Sequence, residues 1–382
     1  MEITYKLNIR KYRWAVSAFF FIAGLTFTTW ASRIPDIKNK LQLNEAGLGF
    51  VLLALPVGQM LSLPISAGLI SKFGSRALIV VSALIYPSIL ILLALAANTF
   101  QLIACLFLFG LFANMLNIAM NTQAVGVEQL YSRSIMASFH GVWSLAGFTG
   151  AFIGTMFVSA GFSPLQHFIV VTIICLLIGT VFFKNTLDND GGNDTKQPLF
   201  KRPDKNILLL GIIAFCCMIC EGAMADWSGV YFQKVVKSPV EWVTLGYTAF
   251  MATMTIGRFL GDGLVVKFGI KKLLQLSGIL IASGLLISIL IPGLLISTFG
   301  FLLVGFGVSS VIPVVYGLAG KTKTMSASAA LATVSSISFL GFLLGPPVIG
   351  FIAEISSLQW SFLLIALLGL GTTVLSGRIK TN

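Results

Sequence analysis

Two acidic residues, Glu221 and Asp226, lie at the end of an apolar segment of the chain. The stretch before them, "ILLLGIIAFCCMIC", contains no charged residue. A carboxylate buried alone in an apolar helix costs several kcal/mol when ionised, so without a partner it should be largely protonated. Such a group can bind a proton on one side of a barrier and release it on the other. We therefore predict a proton-coupling role for Glu221; the alternatives are a structural hydrogen bond to a neighbouring helix and direct substrate binding.

A stripe of amide side chains follows one face of another apolar segment. Asn114, Asn117 and Asn121 are spaced three and four residues apart, and Glu128 follows seven residues later. This spacing places the side chains on one face of a helix. Because amides are costly against lipid, we expect the stripe to face a central cavity, where it suits a sugar or another polyol. Amide hydrogen bonds between helices are the alternative.

Other polar and aromatic side chains inside the apolar segments are candidates for substrate binding. They are Thr26, Trp30, Gln59, Trp143 and Tyr247. The three aromatic rings could stack on a sugar, although aromatic residues are also common at bilayer interfaces. We place only one histidine, His140, well inside a span. Histidine titrates near physiological pH, so His140 could relay protons; a plain hydrogen-bonding or packing role is the alternative.

The composition indicates an integral membrane protein. Of its 382 residues, 57% are hydrophobic and 10% are charged, whereas soluble domains contain about 25% charged residues. The apolar runs have the length of spanning helices, and they do not alternate with period two, which excludes a closed barrel. A net charge of +12 could suit nucleic acid. The basic residues lie in short loops, however, so the charge indicates membrane topology and we expect no nucleic-acid partner.

The sequence contains no pattern typical of an enzyme. It has no Ser/His/Asp set, no zinc-ligand spacing and no dinucleotide fingerprint, and its five cysteines all lie inside apolar segments. The loops are too short to build a catalytic site or a signalling domain. We therefore predict that the protein is not an enzyme and uses no cofactor and no metal.

The apolar segments predict an all-α membrane protein with twelve transmembrane helices. A polar segment rich in Gly and Asp, 184–206, reads as a flexible cytoplasmic linker between two six-helix bundles, 1–183 and 207–382. The predicted spans are 13–32, 45–70, 77–97, 101–125, 135–160, 166–183, 207–230, 243–266, 273–291, 294–319, 327–352 and 360–377.

The distribution of Lys and Arg predicts the orientation of the chain. With the N-terminus inside, the inner segments hold 19 of the 25 basic residues and the outer loops hold five. Arg258 is the remaining one and lies within a span. Because cytoplasmic loops are enriched in Lys and Arg, both termini are expected to be cytoplasmic.

The two halves of the chain contain a repeat. The segment "AGLISKFGSRAL" (67–78) matches "DGLVVKFGIKKL" (262–273) at an offset of about 195 residues. Parallel repeats of six helices around a central site are typical of one large class of secondary transporters.

These loop motifs resemble the signature between helices 2 and 3, and its echo in the second half, of the major facilitator superfamily. More narrowly, four motifs together resemble a bacterial subfamily, the YbjJ-like permeases, with a more distant likeness to fucose-permease-type sugar–proton symporters. The four motifs are "TWASRIPDIK" (29–38), "EGAMADW" (221–227), "TIGRFLGD" (255–262) and "FLLGPPVIGFIAE" (342–354). The resemblance implies two six-helix bundles around a central cavity, in the bacterial cytoplasmic (inner) membrane.

The resemblance also implies two gates. Helices 1 and 7 of the superfamily approach each other at the outer side, so Arg33 is expected to pair with Asp226. Asp36 is the rival partner, although a proline breaks the helix between it and Arg33; a solvated pair without consequence is the alternative to both. Arg258 and Asp262 share a helix face and belong to the second-half signature. They are expected to bind the cytoplasmic end of helix 11, or each other, as a latch.

The residues and the resemblance together predict an alternating-access secondary transporter. We expect proton-coupled symport of a small polar solute, a sugar or sugar derivative, by a monomer in the lipid bilayer. The alternative is a proton-driven exporter of drugs or amphipathic metabolites. The segment "GFTGAFIG" lacks the proline of the superfamily's antiporter signature, which favours symport.

Overall fold

The structure is a computed structural model that describes residues 2–131, 135–187, 204–322 and 325–379. Over these ranges the chain is helical and contains no strand, which confirms the all-α class. The helices are α1 (Glu2–Ala31), α2 (Ile34–Lys40), α3 (Glu45–Leu52), α4 (Ala54–Leu95), α5 (Thr99–Gln129), α6 (Met136–Ser159), α7 (Pro164–Phe182), α8 (Lys205–Lys234), α9 (Leu245–Phe268), α10 (Ile270–Leu290), α11 (Leu294–Ser309), α12 (Val311–Gly320), α13 (Ala327–Ile355) and α14 (Leu358–Ser376).

Among the described residues, eleven helical segments are long and apolar enough to cross a membrane. One of them, Glu45–Leu95, covers two predicted spans, so the eleven segments account for all twelve. Helix α4 is interrupted inside that segment at Gly74, where φ is 77° and ψ is 161°. Its equivalent in the sequence repeat, Gly269, has φ 73° and ψ 155° between α9 and α10. Residues with a side chain rarely adopt this backbone conformation. The two matching segments therefore share a turn that requires glycine.

Prolines divide two of the predicted spans into shorter helices. Pro56 lies four residues after Leu52, the last residue of α3, and Pro313 lies four residues after Ser309, the last residue of α11. A proline ring clashes with the carbonyl group four residues earlier and offers no N–H to it. This explains why α3 ends before α4 begins, and α11 before α12.

The helices pack into two compact units. The first comprises Met1–Gln42 and Val51–Asp194, and the second comprises Leu43–Phe50 and Thr195–Asn382. In the first unit, α1 packs against α6, and α4 packs against α5 at a glycine, Gly110, whose added Cβ would overlap a backbone carbonyl of α4. In the second unit, α8 packs against α13, and α10 packs against both α11 and α14.

Large apolar side chains remain exposed along the spanning helices. Leu63, Leu177 and Leu367, for example, are 54%, 60% and 55% exposed. Soluble monomers rarely expose extensive apolar surface, and here a lipid bilayer would cover it.

The predicted linker, 184–206, is described only at its two ends. Phe183–Asn185 forms one turn of 3-10 helix, and Asp204 caps the start of α8. Residues 188–203 lie outside the described residues, so the division of the chain at this linker stays a prediction.

Candidate functional site

The second unit contains a largely buried ion pair in the interior of its spanning helices. Nη2 of Arg258 on α9 lies 3.4 Å from Oε1 of Glu221 on α8, and the two side chains are 20% and 17% exposed. Both residues lie well inside their helices: Glu221 is about 24 Å along α8 from its first residue. The contact places the two side chains at the same level of α8 and α9. A largely buried carboxylate here has a cation beside it.

Asp226, five residues after Glu221 on α8, has a different environment. It is buried, with 7% of its surface exposed. Among the described residues it has no ion pair and no hydrogen bond. The indole N–H of the neighbouring Trp227 is also buried without a hydrogen-bond acceptor in the described part of the chain. The pairing of Asp226 with Arg33 stays a prediction.

A cavity of about 230 Å³ in the second unit borders Arg258, the basic member of the ion pair. Arg258 lines it from α9, together with the exposed Asp262, and Ser309, Ser310 and Lys321 line it from the α11–α12 region. The side chain that pairs with Glu221 is therefore also accessible from this cavity. The latch role expected for Arg258 and Asp262 stays a prediction.

In the first unit, Arg33 is the centre of a buried polar cluster between α1, α2 and α7. Its Nη1 lies 3.4 Å from Oδ2 of Asp36, and its Nη2 donates to the carbonyl oxygen of Phe162 at 3.0 Å. Its Nε donates to Nδ1 of His167 at 3.2 Å. The rival partner weighed from the sequence, Asp36, thus contacts Arg33. The intervening Pro35 does not prevent this, because it lies in the first turn of α2, with Arg33 as the N-cap residue.

Arg33 and Asp36 lie outside the membrane-spanning segments, and burial shifts the pKa of both. Burial lowers the pKa of the Arg33 guanidinium from its ordinary value, and the charge of Asp36 opposes this shift. Burial also raises the pKa of the Asp36 carboxyl, and the charge of Arg33 opposes that shift. Each group therefore favours the charged form of the other against the effect of burial.

Sequence reasoning missed His167. It is completely buried, its ring stacks on Phe157 with 4.7 Å between centroids, and its Nε2 has no partner in the described part of the chain. It lies at the start of a predicted span, 166–183, and its local sequence does not indicate burial. His140, the histidine that was placed inside a span, is exposed near the start of α6 and packs edge-on against Phe20 at 5.3 Å.

The asparagine stripe forms a hydrogen-bonded ladder in the first unit. Nδ2 of Asn121 donates to Oδ1 of Asn117 at 3.0 Å, and Nδ2 of Asn117 donates to Oδ1 of Asn114 at 3.4 Å. Asn114 in turn donates to Oγ of Ser62 at 2.7 Å and to the backbone carbonyl of Gln59 at 2.9 Å. Asn117 is exposed although it lies inside a spanning helix. The ladder therefore joins α5 to α4 and still presents amide groups at its surface.

Glu128, which follows the stripe, has a structural contact. Its Oε2 accepts hydrogen bonds from the backbone N–H groups of Ile135 and Met136, both at 2.7 Å. These groups lie at the start of α6, where backbone donors lack partners inside the helix. Glu128 thus caps α6.

The remaining candidates differ in exposure. Thr26, Trp30 and Tyr247 are buried, and Thr26 lies 3.6 Å from the thiol of Cys175. Trp143, by contrast, is half-buried. The described residues contain no group of three or more His, Cys, Asp or Glu that could hold a metal ion.

Comparisons with known proteins agree on one family. The sequence pattern of the family described as Major Facilitator Superfamily matches residues 16–329. An uncharacterised MFS-type transporter of Yersinia pestis is 35% identical over 363 residues, which are 95% of this chain and 94% of that protein. Membrane protein MosC of Rhizobium meliloti is 32% identical over 93% of this chain and 87% of its own length.

Two solved structures share the fold at low sequence identity. The nucleoside transporter NupG superposes with a TM-score of 0.76 at 14% identity, over 98% of this chain and 100% of that one. A bacterial homologue of the human lysosomal transporter Spinster, in an inward-facing and unoccupied conformation, superposes with a TM-score of 0.74 at 13% identity, over 97% and 96% of the two chains.

Proposed function

Because the chain belongs to the Major Facilitator Superfamily, and is thus a membrane transporter and not an enzyme, we propose that it couples the transport of a small polar solute to the movement of protons. The single observation that supports this proposal best is the buried pair of Glu221 and Arg258. Inside a membrane protein, a carboxylate can either pair with a neighbouring cationic side chain or bind a proton. A switch between these two states can link proton binding to the binding of a solute.

The linkage follows from the charges of the pair. While both side chains are charged, Glu221 and Arg258 attract each other across 3.4 Å. When Glu221 binds a proton, this attraction is lost, which removes one charged contact of the largely buried guanidinium of Arg258. A hydroxyl or carbonyl oxygen of a solute can then accept hydrogen bonds from the guanidinium. Proton binding and solute binding therefore favour each other at this pair.

The solute is proposed to be a sugar or sugar derivative. The exposed part of the asparagine ladder supports this, because amide groups form hydrogen bonds with hydroxyl groups in both directions. We retain Asn117 and Asn121 as the strongest candidates of the stripe for substrate contact. The buried Trp30 and Tyr247 are weaker candidates than the half-buried Trp143, since a stacking ring must be accessible to the solute.

The remaining parts of the proposal, on orientation, oligomeric state and subfamily, rest on the amino-acid sequence. We propose that both termini are cytoplasmic, on the distribution of Lys and Arg, and that the protein works as a monomer in the bacterial inner membrane. The narrower likeness to YbjJ-like permeases, and the distant likeness to fucose-permease-type symporters, belong to this proposal as well.

The test uses the purified full-length protein in liposomes that contain a pH-sensitive dye. A panel of sugars, amino sugars and nucleosides is added outside, and the variant Glu221→Gln is compared with wild type. Wild type is expected to acidify the lumen with at least one solute, and Glu221→Gln is expected to lose this signal. Glu241→Gln serves as the matched control, because Glu241 is an exposed acid of the second unit and the same charge is removed.

Three results would contradict parts of the proposal. Uptake of a solute without any proton signal would exclude proton coupling. Full acidification by Glu221→Gln would exclude Glu221 from the coupling step and make Asp226 the next acid to replace. Solute-dependent alkalinisation would identify antiport, as expected of the exporter.

A further inference from the structure

The asparagine ladder of the first unit is a chain of hydrogen bonds with one direction. Every amide in it donates toward the start of α5: Asn121 donates to Asn117, and Asn117 donates to Asn114. Asn114 in turn donates to Gln59 and Ser62 on α4. Because an amide has distinct donor and acceptor ends, the direction of the chain decides which end each side chain has left for a solute.

Backbone carbonyl groups fix this direction at both ends of the ladder. Nδ2 of Asn114 lies 2.9 Å from the carbonyl oxygen of Gln59, and Nδ2 of Asn121 lies 2.8 Å from the carbonyl oxygen of Asn117. A carbonyl oxygen only accepts hydrogen bonds, so a flipped amide would place two acceptors against each other. The hydroxyl group of Ser62 donates to the carbonyl oxygen of Gln59 at 2.7 Å, which leaves its oxygen to accept from Asn114.

The start of the ladder is held by close packing of α4 against α5. A Cβ added at Gly58 would overlap a backbone carbonyl group of α5, and one added at Gly110 would overlap a backbone carbonyl group of α4. These glycines lie one turn before Ser62 and Asn114. The two helices therefore meet backbone to backbone next to the anchored end, which keeps the first amide in place.

The other end of the ladder has two groups left for a solute. Nδ2 of Asn121 bonds with both the carbonyl oxygen and Oδ1 of Asn117, whereas Oδ1 of Asn121 accepts no hydrogen bond in the described part of the chain. Asn117 uses only one of its two side-chain N–H groups, in the contact with Asn114. The free groups are thus an acceptor on Asn121 and a donor on Asn117.

The free groups lie on the side of α5 that suits a polar solute. Asn117 is exposed inside its spanning segment. Leu108, nine residues earlier on the same helix, is 39% exposed. At about 100° per residue, nine residues correspond to about 180° around the helix, so Asn117 lies opposite an exposed leucine that lipid would cover.

We propose that the ladder determines the specificity of the solute site, with Oδ1 of Asn121 as a hydrogen-bond acceptor and the N–H of Asn117 as a donor. A single hydroxyl group can donate to the first and accept from the second. A carboxylate or phosphate group has no proton to donate and would place its negative oxygens against Oδ1 of Asn121. The site therefore selects solutes that present a hydroxyl group here. The inference rests on the proposed function, because it concerns the solute proposed there.

The test measures solute binding without a proton gradient. Purified full-length protein in nanodiscs is titrated at one pH, by calorimetry, with a panel of aldoses, amino sugars and nucleosides. For the member that binds most tightly, each hydroxyl group is replaced in turn with fluorine, which has a similar size but cannot donate. At the hydroxyl group that meets Asn121, the fluorine derivative is expected to bind about three- to tenfold more weakly than the parent, the effect of one lost hydrogen bond.

Variants of Asn121 assign this difference to its acceptor. Asn121→Leu removes the acceptor, so the preference for hydroxyl over fluorine at that position should fall to less than about twofold. Asn121→Asp keeps an acceptor and loses both donors, so the preference should remain; this variant also serves if the leucine variant does not fold. Thr122→Val is the control, because the hydroxyl group of Thr122 bonds within its own helix, to the carbonyl oxygen of Ile118. It should keep the full preference.

Three outcomes would overturn the inference. They are an absence of binding by every member of the panel, a preference that stays unchanged in Asn121→Leu at every hydroxyl position, and a preference that is lost in Asn121→Asp, which would make Asn121 a donor. The liposome assay separates this inference from the proposed coupling. A preference that depends on Asn121 but comes without any proton signal would support the site and contradict proton coupling. A proton signal without such a preference would overturn the specificity alone.

Discussion

The pair of Glu221 and Arg258 leads to a quantitative prediction about stability. Replacing Arg258 with Met removes the cation and leaves the carboxylate of Glu221 largely buried. Two unit charges 3.4 Å apart attract each other by about 5 kcal/mol at an effective dielectric constant of about 20. Desolvation offsets part of this attraction, and the side chains keep 20% and 17% exposure. We therefore expect Arg258→Met to lower the free energy of unfolding by about 2–4 kcal/mol.

A double-mutant cycle isolates the contribution of the pair. Glu221→Gln alone removes the charged partner that Arg258 has on α8, and the double variant contains neither charge. The double variant is expected to be more stable than the sum of the two single losses implies, by about 1–3 kcal/mol. The assay is equilibrium unfolding of the purified protein in mixed micelles with an increasing fraction of denaturing detergent, followed by the fluorescence of its six tryptophans.

The control is Lys271→Met, which removes an exposed charge of the same sign in the same unit. Its effect is expected to stay within about 0.5 kcal/mol. If the losses of Glu221→Gln and Arg258→Met add to within about 0.5 kcal/mol in the double variant, the two side chains do not interact energetically. The reasoning about charge compensation, and with it the support for the proposed coupling, would then be refuted.

Three further predictions concern other contacts of the first unit. Glu128→Ala leaves the first amides of α6 without their cap and is expected to cost about 1–2 kcal/mol in the same unfolding assay, whereas Glu128→Gln, which keeps an acceptor, should cost less. Gly110→Ala forces a Cβ into a backbone carbonyl of α4 and is expected to lower the thermal midpoint, while Gly263→Ala, with open space around it, should leave the midpoint unchanged or raise it. Gln123 holds Leu187 through two backbone contacts, at 2.8 and 3.0 Å, so Gln123→Ala should speed proteolysis after α7; an unchanged cleavage rate would contradict this anchoring role.

The sequence predicted the helical segments well because the signals for them are local. A membrane-spanning helix needs a run of apolar residues, and a turn such as the one at Gly74 needs a glycine, so both can be recognised along the chain. Gly269, the equivalent of Gly74 in the sequence repeat, turns in the same way. The breaks before Pro56 and Pro313 were missed although proline signals them, because the apolar pattern continues through both positions.

The candidate site was predicted in part. Glu221 was singled out because a charge inside an apolar run is conspicuous, but its contact with Arg258 was not anticipated. The prediction that the asparagines lie on one face of a helix was correct. Their spacing could not show, however, that the amide groups would form hydrogen bonds with one another. His167 was missed because nothing in its local sequence indicates burial.

The order of residues along the chain is enough to show which segments are helices and which polar side chains lie inside them. These properties depend on hydropathy and backbone conformation over a few neighbouring residues. The partners of these side chains, by contrast, follow from how the helices pack: Arg258 for Glu221, and His167 and Asp36 for Arg33. The partner of a side chain depends on how helices that are distant in sequence cross each other. The 3.6-residue period of one helix shows on which face a residue lies, but not which other helix packs against that face.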